Sequence, residues 1–437
     1  MNVFRPLLPA VFVLPFAGPA GTAATMPAAV PAWSVSAAAG AHLGYDNNVF
    51  LQNNAPLATP GKPTAPAHAG SVVTGLSAAL GVKWQQADSV FDAGYAPELV
   101  RFATQSSENH DDHRITASLR GKNGEWSGAL SGSFLITDGT KTSPVFNRLG
   151  NAPAIGGEPV RARRAQDIAK LNGKLTRAFG DAGFVRGVGA LSVQDFNTHE
   201  LPTSGPGGRP GYANYVDRSE WSAGADAGWF VRKDCALVGG IRTGAQGQAD
   251  KLGVRDNDSN RLLRVLAGAE GKIGPALTFA FLAGPDFRHY GAAVAPGFDR
   301  TKSAPYAEGS ATWTPGRADA VAFSLKSYRW LSSGGRGAYQ DSVYDLQWRH
   351  ALNKTWNTTT GLNLHEGNNS DDLTPGTLST LRHDWIYLAS IGVTCALDEK
   401  TRFEAGISRE WSDSLVANKQ GRDYDCWRMS VGVKHTF

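Results

Sequence analysis

His110-Asp111-Asp112-His113 sets two imidazoles and two carboxylates in four consecutive positions. Residues of this kind supply a general base beside an orienting acid, or ligands for a divalent metal. Their spacing argues against both uses. In an extended strand neighbouring side chains point to opposite faces, so His110 and Asp112 do not converge with Asp111 and His113. The set reads as a solvated loop at a loop-to-strand junction, with a rim-sited hydrolase as the alternative. Asp256-Asn257-Asp258-Ser259-Asn260 has half the look of a calcium loop, but it lacks the glycine and the closing glutamate of a complete one. Cys235, Cys395 and Cys426 match no metal spacing and read as small apolar side chains with no disulfide between them. The sequence therefore assigns no catalytic residue, no metal and no cofactor.

A larger set of charges makes sense only through the strands that carry it. From Trp33 to Tyr45, one parity holds Trp33, Val35, Ala37, Ala39, Ala41, Leu43 and Tyr45, while the other holds Ser34, Ser36, Gly40, His42 and Gly44. This is the two-residue period of a strand with one face in lipid and the other in water. The unit repeats along the chain. Asn123-Gly124, a strong hairpin signal, joins a strand through Ile115, Ala117 and Leu119 to one through Trp126, Leu130, Phe134 and Ile136. Further tight turns fall near 86–88, 180–183, 232–234, 274–276, 314–317, 352–354 and 397–400. Longer polar connections alternate with them, at about 46–70, 103–112, 138–163, 196–213, 246–260, 290–304, 331–337, 366–381 and 412–423. The expectation is an all-β, transmembrane, antiparallel up-and-down barrel of about eighteen strands (16–18), with both termini periplasmic.

Composition agrees with that class. The chain of 437 residues has 51 Gly, 12 Trp, 11 Tyr and 19 Phe, with a mean hydropathy of −0.27. No apolar run approaches the roughly 20 residues of a membrane helix, whereas a barrel needs only alternate residues apolar. A net charge of +4 gives no reason to expect nucleic acid. Arg5, the apolar stretch Leu7 to Ala17 and the small residues Thr22-Ala23-Ala24 read as a cleavable signal peptide over 1–24, leaving a barrel domain over 25–437. The final strand, Met429 to Phe437, ends on an aromatic residue. It is the expected signal to the barrel-assembly machinery, and the surrounding partners are outer-membrane lipid and lipopolysaccharide.

On the inward parity stand Lys83, Arg114, Arg120, Lys170, Lys174, Arg186, Arg242, Arg264, Lys272, Arg288, Lys326, Arg349, Arg402, Arg428 and Lys434. Against them are Asp92, Glu98, Asp226, Glu270, Asp286, Glu308, Asp345, Asp384, Glu404 and Glu410. Many should pair across the wall. The basic excess, with Arg264, Arg288, Arg349, Arg402 and Arg428 foremost, predicts a weak preference for anions. Trp330, Tyr339 and Phe298 are candidates for a sugar-stacking track or, more simply, for interface and loop packing.

Gly44-Tyr45-Asp46-Asn47-Asn48-Val49-Phe50, Asp256-Asn257-Asp258-Ser259-Asn260 and Trp313-Thr314-Pro315 together resemble the β-barrel porin 2 family of outer-membrane proteins. The resemblance implies a Gram-negative outer-membrane channel for small hydrophilic solutes or ions. Export of a polymer such as an exopolysaccharide is the alternative it leaves open. A plugged receptor is not expected, because no plug-sized segment precedes the first strand.

Overall fold

The computed structural model describes residues 32–49, 51, 68–137, 166–196, 217–248, 259–291, 299–331, 338–368, 382–416, 419–420 and 423–437. The expected signal peptide, Phe50, Asp256 to Asp258, Phe298 and the whole 138–163 connection lie outside them. The strands are β1 (Ala32–Asp46), β2 (Ser71–Gln86), β3 (Ser89–Phe102), β4 (His110–Asn123), β5 (Trp126–Thr137), β6 (Gln166–Ala178), β7 (Gly183–Phe196), β8 (Arg218–Arg232) and β9 (Cys235–Gln248). They continue as β10 (Asn260–Ile273), β11 (Leu277–Tyr290), β12 (Thr301–Trp313), β13 (Asp319–Leu331), β14 (Ala338–Ala351), β15 (Trp356–Asn368), β16 (Arg382–Ala396), β17 (Thr401–Val416), β18 (Lys419–Gln420) and β19 (Tyr424–Thr436). β18 is a two-residue extension against β17. The other eighteen pair antiparallel with their chain neighbours, and β1 also pairs with β19, so the sheet closes on itself. No helix among the described residues is long and apolar enough to cross a membrane.

Every tight turn named from the sequence joins two of these strands at one end of the barrel. At Asn123-Gly124 the hairpin works because Gly124 takes φ of +58°, where a side chain brings strain. The turn between β16 and β17 is held by Asp398, whose Oδ1 accepts the amides of Lys400 and Thr401, each at 2.7 Å. Those donors, Lys400 first, keep its carboxyl below the usual range. Ala32 and Phe437 lie at this same end, with the Phe437 amide bonded to the Ala37 carbonyl at 2.9 Å.

The outer face is apolar and the inner face polar, as the period-two pattern requires. Exposed Trp33, Trp126, Trp229, Trp313, Trp348, Trp356 and Phe437 ring the tight-turn end. Tyr45, Trp221, Phe287 and Trp427 are exposed nearer the other. From Trp427 to Phe437 the rise is about 26 Å at about 3.4 Å per residue and a tilt of about 40°, close to the apolar band of about 25 Å in membrane barrels. The strands are 12 to 16 residues long, more than the roughly 9–11 that span a bilayer. The surplus lies on the long-connection side, which is why several connections are shorter than the sequence suggested. Gly124→Ala is expected to cost about 1 kcal/mol, from the left-handed backbone it must keep. Urea unfolding in detergent micelles, with the folded barrel still formed, measures it.

Candidate functional site

The charged lumen candidates named from the sequence all lie on the parity opposite the exposed apolar face. Lys83 and Asp92 face each other across β2 and β3. Arg114 and Arg120 stand on β4, Glu308 opposite Lys326 on β12 and β13, and Asp345 and Arg349 on β14. Arg402 and Glu404 are on β17 and Arg428 on β19. Arg264 and Glu270 on β10, and Asp286 and Arg288 on β11, belong to two buried networks along one wall.

Near the tight-turn end, Arg186 of β7 donates through Nε to Asp226 at 2.9 Å and through Nη2 to Glu270 at 2.9 Å. Arg242 reaches the other oxygen of Asp226 at 2.6 Å. Arg186 crosses two intervening strands to meet Glu270, and Gly240 leaves the room for it. A Cβ there would sit 2.3 Å from Asp226 Oδ1. Nearer the long connections, Arg264 joins Asp286 at 3.0 Å and Glu220 at 3.3 Å. Arg288 holds Asp286 at 2.7 Å and Asn260 at 2.9 Å. Asp286 and Arg288 are 0% and 1% exposed, so these charges are structural cement satisfied by their partners.

Arg264, Arg288 and Arg428 are thus not the unpaired cations that the sequence offered. Arg428 bonds Asp46 at 3.2 Å and Glu410 at 2.8 Å. The His110 to His113 set also changes place. It begins β4 instead of lying in a solvated loop, and Asp112 is buried. The four side chains do split between faces: Asp111 pairs with Arg101 at 2.6 Å, His113 with the Tyr95 hydroxyl at 2.8 Å, and His110 with the Glu108 carbonyl at 2.9 Å.

One feature had no sequence signal. β13 pairs with β12 only as far as Ser327, yet stays paired with β14 out to Leu331 opposite Ala338. Beyond Ser327 it leaves the wall. The Arg329 carbonyl accepts from Gln246 Nε2 of β9 at 3.1 Å and from Arg288 Nη2 of β11 at 3.0 Å. The Leu331 carbonyl accepts from Arg218 of β8, and Arg329 Nε donates to the Tyr290 hydroxyl at 2.8 Å. β9 lies four strands from β13, about 19 Å along a wall with strands about 4.8 Å apart. Contact across that gap means the end of the β13–β14 hairpin turns into the lumen. Leu331, Tyr290 and Ala338 pack beneath it. Trp330 and Tyr339 are buried in this inturned end, with the Arg218 guanidinium 4.9 Å from the Trp330 ring.

The hairpin makes the lumen lopsided. Inward residues of β7 to β13 are nearly all buried or half-buried, whereas Ser34, Ser36, Lys83, Ala96, Arg114, Thr116 and Lys170 on β1 to β6 are exposed. Where the two sectors meet, Lys170 interacts electrostatically with Lys326, Arg218 and Arg114. Among the described residues none of these four forms an ion pair with a carboxylate. Arg264, Arg288 and Lys326 surround Glu220, and Glu308 stands opposite Lys326 on the neighbouring strand. Arg218 and Glu220 were missed from the sequence, although both share the inward parity of Asp226 on β8.

No family model matches the chain, and no curated protein matches it. Solved structures do align over most of its length. The outer membrane protein OpdK from Pseudomonas aeruginosa is 10% identical with a TM-score of 0.41, covering 92% of this chain and 99% of its own. OccK2 of the same organism, in complex with glucuronate, is 9% identical with a TM-score of 0.42, covering 92% and 98%. The FrpB iron transporter from Neisseria meningitidis is 9% identical with a TM-score of 0.39, covering 92% and 81%. Similarity this low fixes neither substrate nor gating, and the barrel architecture stands on its own strand pairing.

Arg186→Met is expected to cost about 3–5 kcal/mol, because it strands the buried Glu270 and weakens the hold on Asp226. Arg101→Ala, which breaks an exposed pair, should cost no more than about 1 kcal/mol. Urea unfolding of the two variants in micelles compares them.

Proposed function

We propose that the chain is an outer-membrane channel through which small hydrophilic solutes and ions diffuse, with a weak preference for anions. The observation that carries this reading is the group formed by Arg114, Lys170, Arg218 and Lys326, basic side chains that among the described residues form no ion pair, where the inturned hairpin narrows a water-facing lumen. Fixed charge acts over a Debye length of about 8 Å at physiological salt, so uncompensated cations at a narrow point enrich anions there. The apolar belt between two aromatic girdles supports residence in a lipid bilayer.

Residues 1–24 are a signal peptide, 25–437 the mature barrel, and both termini lie in the periplasm with the long connections outside. The terminal strand ending at Phe437 engages the assembly machinery, and lipopolysaccharide surrounds the outer rim. The motifs from Gly44 to Phe50 and at Trp313 support membership of the β-barrel porin 2 family. A lumen crossed by a hairpin suits small solutes better than an exopolysaccharide, and the splitting of His110 to His113 between two faces disfavours a hydrolase.

Reversal potentials across a salt gradient in planar bilayers test the reading. Anion preference is expected at low salt, fading as salt rises, and Lys170→Gln with Lys326→Gln should lower it. Cation selectivity at low salt, or an unchanged preference in the double variant, would overturn it.

A further inference from the structure

The motif Gly44-Tyr45-Asp46-Asn47-Asn48 brings polar side chains to the seam between β1 and β19, where Asp46 also neutralises Arg428. This seam joins nine residue pairs, Asp46 with Arg428 through Ala38 with Thr436, against fifteen between β1 and β2. Its composition specifies register poorly. β1 presents Ala37-Ala38-Ala39-Gly40-Ala41 to a strand carrying Val431-Gly432-Val433. A slip of two residues keeps every side chain on its own face and exchanges one small residue for another, so the hydrophobic pattern scarcely opposes it.

Just past the end of β1 the chain supplies what the seam lacks. Asn47 exchanges bonds with Trp427, its amide donating to the Trp427 carbonyl at 3.1 Å and its Oδ1 accepting the Trp427 amide at 2.6 Å. Asn48 Nδ2 donates to the Asp425 carbonyl at 3.0 Å, and the Asn48 amide donates to Asp46 Oδ1 at 2.8 Å. Asp46 takes Arg428 Nε at 3.2 Å and the buried thiol of Cys426 at 3.3 Å. Gly44 permits the approach, since a Cβ there would meet the Met429 carbonyl oxygen at 2.6 Å. The Asn47 and Asn48 side chains tie the strand end to main-chain groups of β19, which recur after a two-residue shift. The bonds that name residues are those of the Asp46 carboxylate with the Arg428 and Cys426 side chains, and a shift of two residues takes Asp46 out of line with both.

We propose that Asp46, through Arg428 and Cys426, is a latch that selects the register in which β1 seals against β19 and so completes the closed barrel, with Asn47 and Asn48 fastening the end of the strand once it is in place. The latch acts at assembly and is independent of what passes through the lumen. It also accounts for the order of residues in the motif, with small Gly44 where the backbones approach and two amides where the strand runs out.

Disulfide trapping in the full-length membrane protein tests it. Ala41→Cys with Val433→Cys joins partners in the observed register, and Ala41→Cys with Val431→Cys joins partners after a two-residue slip. Combining Asp46→Asn, Asn47→Ala and Asn48→Ala should lower the first cross-link several-fold and raise the second. Asp226→Asn, a buried change on the far wall, should alter neither. An undiminished in-register cross-link in the triple variant would overturn the latch, as would an equal loss with Asp226→Asn. If the triple variant does not reach the membrane, Asp46→Ala alone decides: a lower in-register yield supports the latch and an unchanged one refutes it.

Discussion

A strand in hydrocarbon cannot leave its amides and carbonyls unpaired, because no water is there to take them. A sheet in a membrane therefore has to close, and in this chain eighteen antiparallel strands meet that condition by joining β1 to β19. Closure fixes much else. It divides the side chains into two populations by parity, so that Leu, Val and Trp face outward while Arg, Asp, Ser and Gly turn toward water.

Closure also encloses an interior too wide for a simple apolar core, and the chain treats its two halves differently. Along β7 to β11, ion pairs such as Arg186 with Glu270 and Arg288 with Asp286 tie inward side chains into a buried block. That block supplies the anchors, Gln246, Arg288 and Arg218, that hold the carbonyls of the inturned hairpin. The opposite sector is lined by small residues such as Ser36, Ala79 and Ala96 and stays open. The basic side chains that form no ion pair among the described residues lie at the boundary between these two sectors.

Much of this was legible in the sequence, because the two-residue period is a property of the chain itself. The tight turns, the strand number and the inward parity of Arg264 or Glu404 all follow from it. What parity cannot express is distance across a barrel. Arg264 and Arg288 have the right face for an open lumen, but their neutralisation depends on Glu220 and Asp286, which only closure and shear bring within reach. The inward turn of β13 depends on partners on β8, β9 and β11 and leaves no local trace in Tyr328-Arg329-Trp330-Leu331. The His110 to His113 set was placed one step too far into a loop, since its charged composition hid the fact that β4 continues beyond the membrane.

The central claim is that water and solutes run along the β1 to β6 side of a half-filled barrel. Thiol accessibility measures it most directly, with Ala96→Cys on the open wall compared with Val238→Cys on the packed one, against the background of the native cysteines. A small water-soluble methanethiosulfonate should label Ala96→Cys quickly and reduce the single-channel current, leaving Val238→Cys unreacted. Equal labelling at the two positions, or faster labelling at Val238→Cys, would contradict the account.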